Sequence, residues 1–168
     1  ATPWNIVDAA FYNMKMGRTH YTSNFGLLEF RKEVGEYLKK YDLDYGPDEI
    51  IATIGGSEGI DLALRSIINP GDEIIVPEPV YVPYRPLSEL TGATVVGIDT
   101  SKTEFKVDAK ELEKLITRKT KAIILCYPNN PTGTYIDLDI ISKFLAKVPS
   151  HILVLIDEAY IEYVKYST

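Results

Sequence analysis

The sequence predicts a three-layer α/β fold, a mostly parallel sheet with helices on both faces. Two observations carry that expectation. Five short runs, at residues 50–54, 73–76, 94–98, 122–126 and 152–156, are apolar almost throughout, as strands buried on both sides are. Each gap between them holds one longer amphipathic stretch, and a strand that returns through a helix lies parallel to its neighbour.

In chain order, Leu27, Leu28, Phe30, Val34, Tyr37, Leu38 and Tyr41 recur at helical spacing, with Arg31, Lys32, Glu36 and Lys39 on the opposite side. This predicts a helix with a solvated charged face. The first strand follows at 50–54. Gly55-Gly56 makes a turn into a helix over 57–68, which Asn69-Pro70-Gly71-Asp72 stops, because proline cannot continue a helix and glycine accepts the turn. The second strand, 73–76, is closed by Pro77; a helix over 84–90 ends near Gly92, and the third strand takes 94–98. Asp108 with Glu111 three positions on reads as a capping box for a helix reaching 116. The fourth strand, a helix over 138–148 and the fifth strand complete the series, with no internal repeat, linker or low-complexity break.

Composition bounds the function. With 168 residues, 45% hydrophobic and 25% charged, the chain suits one globular core or a piece of one domain. A formal net charge of -6 with interspersed signs argues against nucleic acid or an anionic membrane as partner, since no basic block exists to neutralise phosphates. Cys126 is the one cysteine, so no internal disulfide can form, and no apolar run approaches a membrane span. The opening Ala1-Thr2-Pro3-Trp4-Asn5 lacks the basic-then-apolar pattern of a secretion signal, so a cytoplasmic protein is expected. His20 and His151 have no partners at metal-ligand spacing, so no metal is expected.

The chemistry-bearing residues gather at the ends of apolar runs. Cys126-Tyr127-Pro128-Asn129-Asn130-Pro131-Thr132-Gly133 follows the fourth strand, and Asp157-Glu158-Ala159-Tyr160 closes the fifth. Open α/β sheets bind ligands at that edge. Ser57 opens a helix whose positive end and unpaired amides favour an anion, though taken alone a glycine turn with a serine cap is the better account. A carboxylate such as Asp157 at the end of a buried strand is costly without a partner, unless it caps the following turn. Taken singly, Asn130 is a turn residue and Tyr160 a packed aromatic.

Together these motifs resemble the cofactor pocket of the fold type I, pyridoxal-phosphate-dependent aminotransferases of class I/II, over essentially the whole chain from Thr2 onward. The resemblance implies an incomplete large domain spanning residues 1–168, with pyridoxal 5'-phosphate as cofactor and an amino acid and a 2-oxo acid as substrates. It implies that Gly56, Ser57 and Glu58 surround the cofactor phosphate and that Asp157 pairs with the ring nitrogen. Asn130 and Tyr160 would bond the 3′ oxygen. Tyr81, in Pro77-Glu78-Pro79-Val80-Tyr81, stands where the family stacks an aromatic ring on the cofactor. Tyr21, in Thr19-His20-Tyr21-Thr22-Ser23-Asn24, matches a tyrosine that crosses a homodimer interface to the phosphate of the other subunit.

The chain also departs from the family pattern. No lysine here matches the Schiff-base lysine, so no catalytic residue is assigned; Lys165 is the nearest candidate and reads as a solvated surface lysine. The substrate-carboxylate arginine, the rest of the large domain and most of the small domain have no counterpart either. In the family sheet two later strands separate the strand matching 50–54 from the one matching 152–156, so both should show unpaired edges here. The isolated chain is therefore expected to be inactive. A carbon–sulfur lyase or decarboxylase of the same fold shares every residue named, and a non-catalytic piece that only binds cofactor or the rest of the enzyme is the alternative of another kind. A nucleotide-binding module is disfavoured, because Gly55-Gly56-Ser57-Glu58-Gly59 fits neither the G-x-G-x-x-G nor the Walker pattern.

Overall fold

The computed structural model describes residues 1–164, which form two compact units, one from Ala1 to Thr53 and one from Ile54 onward. The boundary carries no linker signature in the sequence.

The first unit opens with a helix absent from the predicted elements, α1 (Trp4–Lys15), although Trp4, Val7, Phe11 and Met14 recur at helical spacing. Its twelve residues contain no glycine or proline; Pro3 precedes it, and Gly17 at φ +71° ends it. The next helix, α2 (Leu28–Leu38), continues as a 3-10 turn over Lys39–Tyr41. Its expected apolar face is largely unburied: Leu27, Leu28, Phe30, Tyr37 and Tyr41 are exposed, and only Val34 and Leu38 are part-buried. Arg31, read as part of the solvated face, is only 6% exposed, while Phe30 is 55% exposed. The reason is polar rather than apolar: the Arg31 guanidinium donates to the carbonyls of Gly26 and Pro47 and lies 5.8 Å from the Phe25 ring centroid. A buried cation held this way is stable because its donors are matched.

The predicted first strand does not form, and residues 50–54 are irregular. Among the described residues no strand lies beside them to complete a ladder. Instead the Ala52 N–H donates to the Phe25 carbonyl at 2.9 Å. The approach is so close that a Cβ on Gly26 would stand 2.5 Å from the Ala52 Cβ, and Gly26 sits at φ +93°, a conformation that only glycine adopts cheaply.

The second unit holds the sheet. Its strands are β1 (Glu73–Glu78), β2 (Thr94–Asp99), β3 (Thr120–Cys126) and β4 (Leu153–Asp157), in the spatial order β2-β1-β3-β4. All three pairings are parallel, with Ile75 opposite both Val96 and Ile123, and Cys126 opposite Asp157. The helices are α3 (Gly55–Ile67), α4 (Tyr84–Leu90), α5 (Ala109–Leu115) and α6 (Leu138–Leu145). Side chains alternate across the pleat, so the two inner strands feed two cores. Ile74, Val76, Ala122, Ile124 and Cys126 pack with Ile60 and Leu64 of α3 and Tyr84 of α4. Ile75, Ile123, Leu125 and Tyr127 pack with Leu112 of α5, against which Ile141 and Phe144 of α6 also lie. Each fully buried aliphatic side chain contributes about 1.5–3 kcal/mol. The three layers are those the sequence predicts, with four strands rather than five.

Local signals explain most boundaries. Asp61 and Arg65, one turn apart on α3, form an ion pair at 2.8 Å. The stop after α3 is built as a turn, in which Asp72 accepts from the Asn69 N–H at 2.8 Å and Gly71 adopts φ +92°. The capping box at α5 is half made. Asp108 accepts from the Lys110 N–H at 2.8 Å, but Glu111 pairs forward with Lys114 at 2.6 Å. The last helix stops at Leu145, three residues before the expected end, with Pro149 following.

Candidate active site

Parallel pairing brings the carboxyl ends of β1, β3 and β4 to one edge of the sheet, and the first turn of α3 carries Gly56 and Ser57. Their amides have no i−4 acceptor within the helix, and an added Cβ at Gly56 would meet nothing within 4 Å. Gly55, at φ +79°, turns the chain into this helix. The Glu58 carboxylate folds back onto the Ile54 N–H and so caps the helix with its side chain.

A continuous line of contacts joins Ser57 to Asp157. The Ser57 hydroxyl lies 3.2 Å from the Tyr81 hydroxyl. The Tyr81 and Tyr84 rings meet edge to face with centroids 5.7 Å apart. The Tyr84 hydroxyl donates to Asp157 Oδ2 at 2.6 Å, and Asp157 Oδ1 accepts from the Ala159 N–H at 3.0 Å. Asp157 is half-buried at the end of β4, so the pairing a carboxylate needs there is supplied by the protein itself. Tyr84 went unmarked in the sequence; its spacing of three from Tyr81 at the start of a helix was the available signal.

The turn after β3 is fastened to the same edge. The Tyr127 N–H donates to the Asp157 carbonyl at 3.0 Å, and the Asn129 side chain donates to the Pro79 carbonyl at 3.0 Å and to Thr132 Oγ1 at 2.8 Å. Asn129 thus braces the turn, while its neighbour Asn130 lines an open cleft of about 610 Å3 together with Tyr135, Tyr160 and Tyr163. The more enclosed apolar cavity, about 160 Å3 between α6 and the sheet, is lined by Leu125, Ile141 and Phe144 on the other face. Its lining includes no carboxylate and none of the residues on the line from Ser57 to Asp157.

Tyr21 belongs to the N-terminal unit, in the irregular segment between α1 and α2, and is fully exposed. Lys165 lies outside the described residues. Among the described residues no three His, Cys, Asp or Glu side chains gather as metal ligands, and no helix is long and apolar enough to cross a membrane.

Burial shifts two phenols, Tyr84 and Tyr127. Burial first, and then the bond to Asp157, drive the Tyr84 hydroxyl far above its ordinary value of 10. Burial pushes Tyr127 up to about 12 and also raises the Cys126 thiol. A folded value above the unfolded one gives stability that is complete below the unfolded pKa and is lost as pH rises towards the folded one. Stability should therefore fall above about pH 10, by up to about 1.4 kcal/mol per pH unit for each such tyrosine. Chemical denaturation at stepped alkaline pH checks this, and Tyr84→Phe should make the decline shallower.

A family model described as aminotransferase class I and II matches residues 2–168. The chain is 41% identical over 165 residues to the putative aminotransferase YugH of Bacillus subtilis, covering 96% of this chain and 43% of that protein. It is 38% identical to a probable aspartate aminotransferase of Methanocaldococcus jannaschii, covering 95% of this chain and 43% of the relative. Among solved structures, an aromatic aminotransferase from Pyrococcus horikoshii superposes with a TM-score of 0.92 at 32% identity, over 99% of this chain and 46% of that one. The chain belongs to the class I and II aminotransferase family. It spans less than half the length of these relatives.

Proposed function

We propose that this chain is the cofactor-binding portion of a pyridoxal-phosphate-dependent aminotransferase that moves an amino group between an amino acid and a 2-oxo acid. The observation that carries the reading is the contact line from Ser57 through Tyr81 and Tyr84 to Asp157. It links an anion-accepting helix start to a carboxylate at the sheet's carboxyl edge. A ligand with a phosphate at one end and a cationic ring nitrogen at the other matches that donor and acceptor set.

In this reading the Gly56 and Ser57 amides and the Ser57 hydroxyl hold the phosphate, and Glu58 supports them as the cap of α3. The Tyr81 ring covers one face of the cofactor. Asp157 holds the proton on the ring nitrogen, and the Asn130 amide and Tyr160 hydroxyl bond the 3′ oxygen. When bound, pyridoxal phosphate supplies the electron-accepting ring that lets the substrate Cα–H bond break. The working unit is a homodimer in which Tyr21 reaches the phosphate of the other subunit, in the cytoplasm, serving amino acid metabolism. The 168-residue chain by itself is inactive, since none of its lysines matches the family's cofactor lysine.

The test is an absorbance scan of the full-length protein carrying this segment, with added pyridoxal phosphate, before and after borohydride. Cofactor absorbance that borohydride bleaches while leaving the reduced cofactor covalently attached, with turnover of an amino donor and a 2-oxo acid, is the expected result. A full-length protein with no cofactor-dependent absorbance overturns the reading, as would turnover above the free-cofactor rate by residues 1–168 alone overturn the claim of inactivity.

A further inference from the structure

Tyr84 occupies an unusual position for a residue outside the cofactor contacts proposed above. It is 0% exposed, the first residue of α4, and packed with Ile74, Val76 and Cys126, yet its hydroxyl emerges from that core onto Asp157 Oδ2 at 2.6 Å. Asp157 Oδ1 is held from the other side by the Ala159 N–H at 3.0 Å. The two bonds leave the carboxylate no free rotation. Each carboxylate oxygen accepts about two hydrogen bonds, so Asp157 keeps acceptor capacity for a ligand although both of its oxygens are already engaged.

We propose that Tyr84 is a positioning residue, whose hydroxyl fixes the orientation of Asp157 towards a cationic ring nitrogen. The proposal rests on the cofactor reading above. Two physical arguments support it. A hydrogen bond donated to a carboxylate is about twice as strong as a neutral one, so it holds the Asp157 side chain in one rotamer. A donor carried on a buried ring edge-packed against Tyr81 is also pre-organised, so a ligand meets a carboxylate already aimed and loses less freedom on binding. The competing view is that a buried phenol merely found an acceptor. That view predicts an effect on folding alone.

The experiment uses the full-length protein and Tyr84→Phe, which keeps the ring and removes only the hydroxyl. Three quantities are read: melting temperature without cofactor, the dissociation constant for pyridoxal phosphate, and the pH midpoint of the bound cofactor's absorbance change. Tyr84→Phe should weaken cofactor binding about tenfold and move the midpoint by about half a unit or more. Binding within twofold of wild type with an unmoved midpoint overturns the proposal, whatever the melting temperature does. If Tyr84→Phe fails to fold, 3-fluorotyrosine at position 84 keeps the shape with a more acidic hydroxyl. A midpoint that shifts then supports the proposal, and one that stays overturns it. A wild-type protein that binds no cofactor sinks the functional reading itself, a result distinct from cofactor binding indifferent to Tyr84.

Discussion

Asp157→Asn in the full-length protein is expected to lose activity almost as severely as Asp157→Ala, although asparagine preserves the shape of the side chain. Asp157 already accepts from Tyr84 on one oxygen and from the Ala159 N–H on the other. An asparagine must present its NH2 group to one of these donors. Turned towards Ala159 it opposes an N–H, and turned towards Tyr84 it forces the hydroxyl to accept. More important, it carries no charge for a ring nitrogen. Hydrogen bonds to charged groups are worth roughly 1.5–3 kcal/mol against about 1 kcal/mol for neutral ones. The expected loss in kcat/KM is therefore about 10- to 150-fold for Asp157→Asn, and about fivefold for Tyr160→Phe. Steady-state kinetics of the three variants decide it. Near-normal turnover of Asp157→Asn would mean that the carboxylate only caps the end of β4.

Ile123→Ala is expected to be the most damaging single truncation for stability. Ile123 is 0% exposed on β3, one of the two strands paired on both sides, where it stands opposite Ile75 and Val154. The flanking strands hold the backbone in place and limit collapse around the missing methyl groups, so the cost should lie near the upper part of the 2–5 kcal/mol range for such changes. Leu90→Ala, at a position 68% exposed, should change stability by less than about 0.5 kcal/mol. Urea unfolding of the two variants tests the contrast, and a cost below about 1 kcal/mol at Ile123 would contradict the sheet order described here.

Much of this architecture was legible beforehand. The runs that became β1 and β3 declare themselves because strands buried on both faces tolerate little but apolar side chains, and the edge strands β2 and β4 share that composition although they are only partly buried. The turn at Asn69-Pro70-Gly71-Asp72 and the cap at Asp108 follow from local backbone chemistry, which needs no distant partner. Helix α1 was missed although Trp4, Val7, Phe11 and Met14 recur at helical spacing, the same kind of signal that predicts α2. The segment at 50–54 shows the converse error. It has the composition of a strand, but composition cannot supply the neighbouring strand whose carbonyls and amides would complete its ladder.

The site divides in the same way. Ser57, Asn130, Asp157 and Tyr160 were singled out from sequence because each stands at the end of a regular element and together they resemble the family's cofactor pocket. Tyr84 was not, because a tyrosine at the start of a helix looks like core until the fold brings residues 84 and 157 within one hydrogen bond. Arg31 was assigned to solvent for a related reason, since its acceptors at Gly26 and Pro47 converge only when the chain turns back on itself. By itself the sequence determined the layers, the sheet's strands and the edge at which the chemistry gathers, because periodicity and caps act over a few neighbouring residues. The tertiary structure alone decided which polar groups are paired, and hence how Asp157 is aimed, because those bonds join residues far apart in the chain.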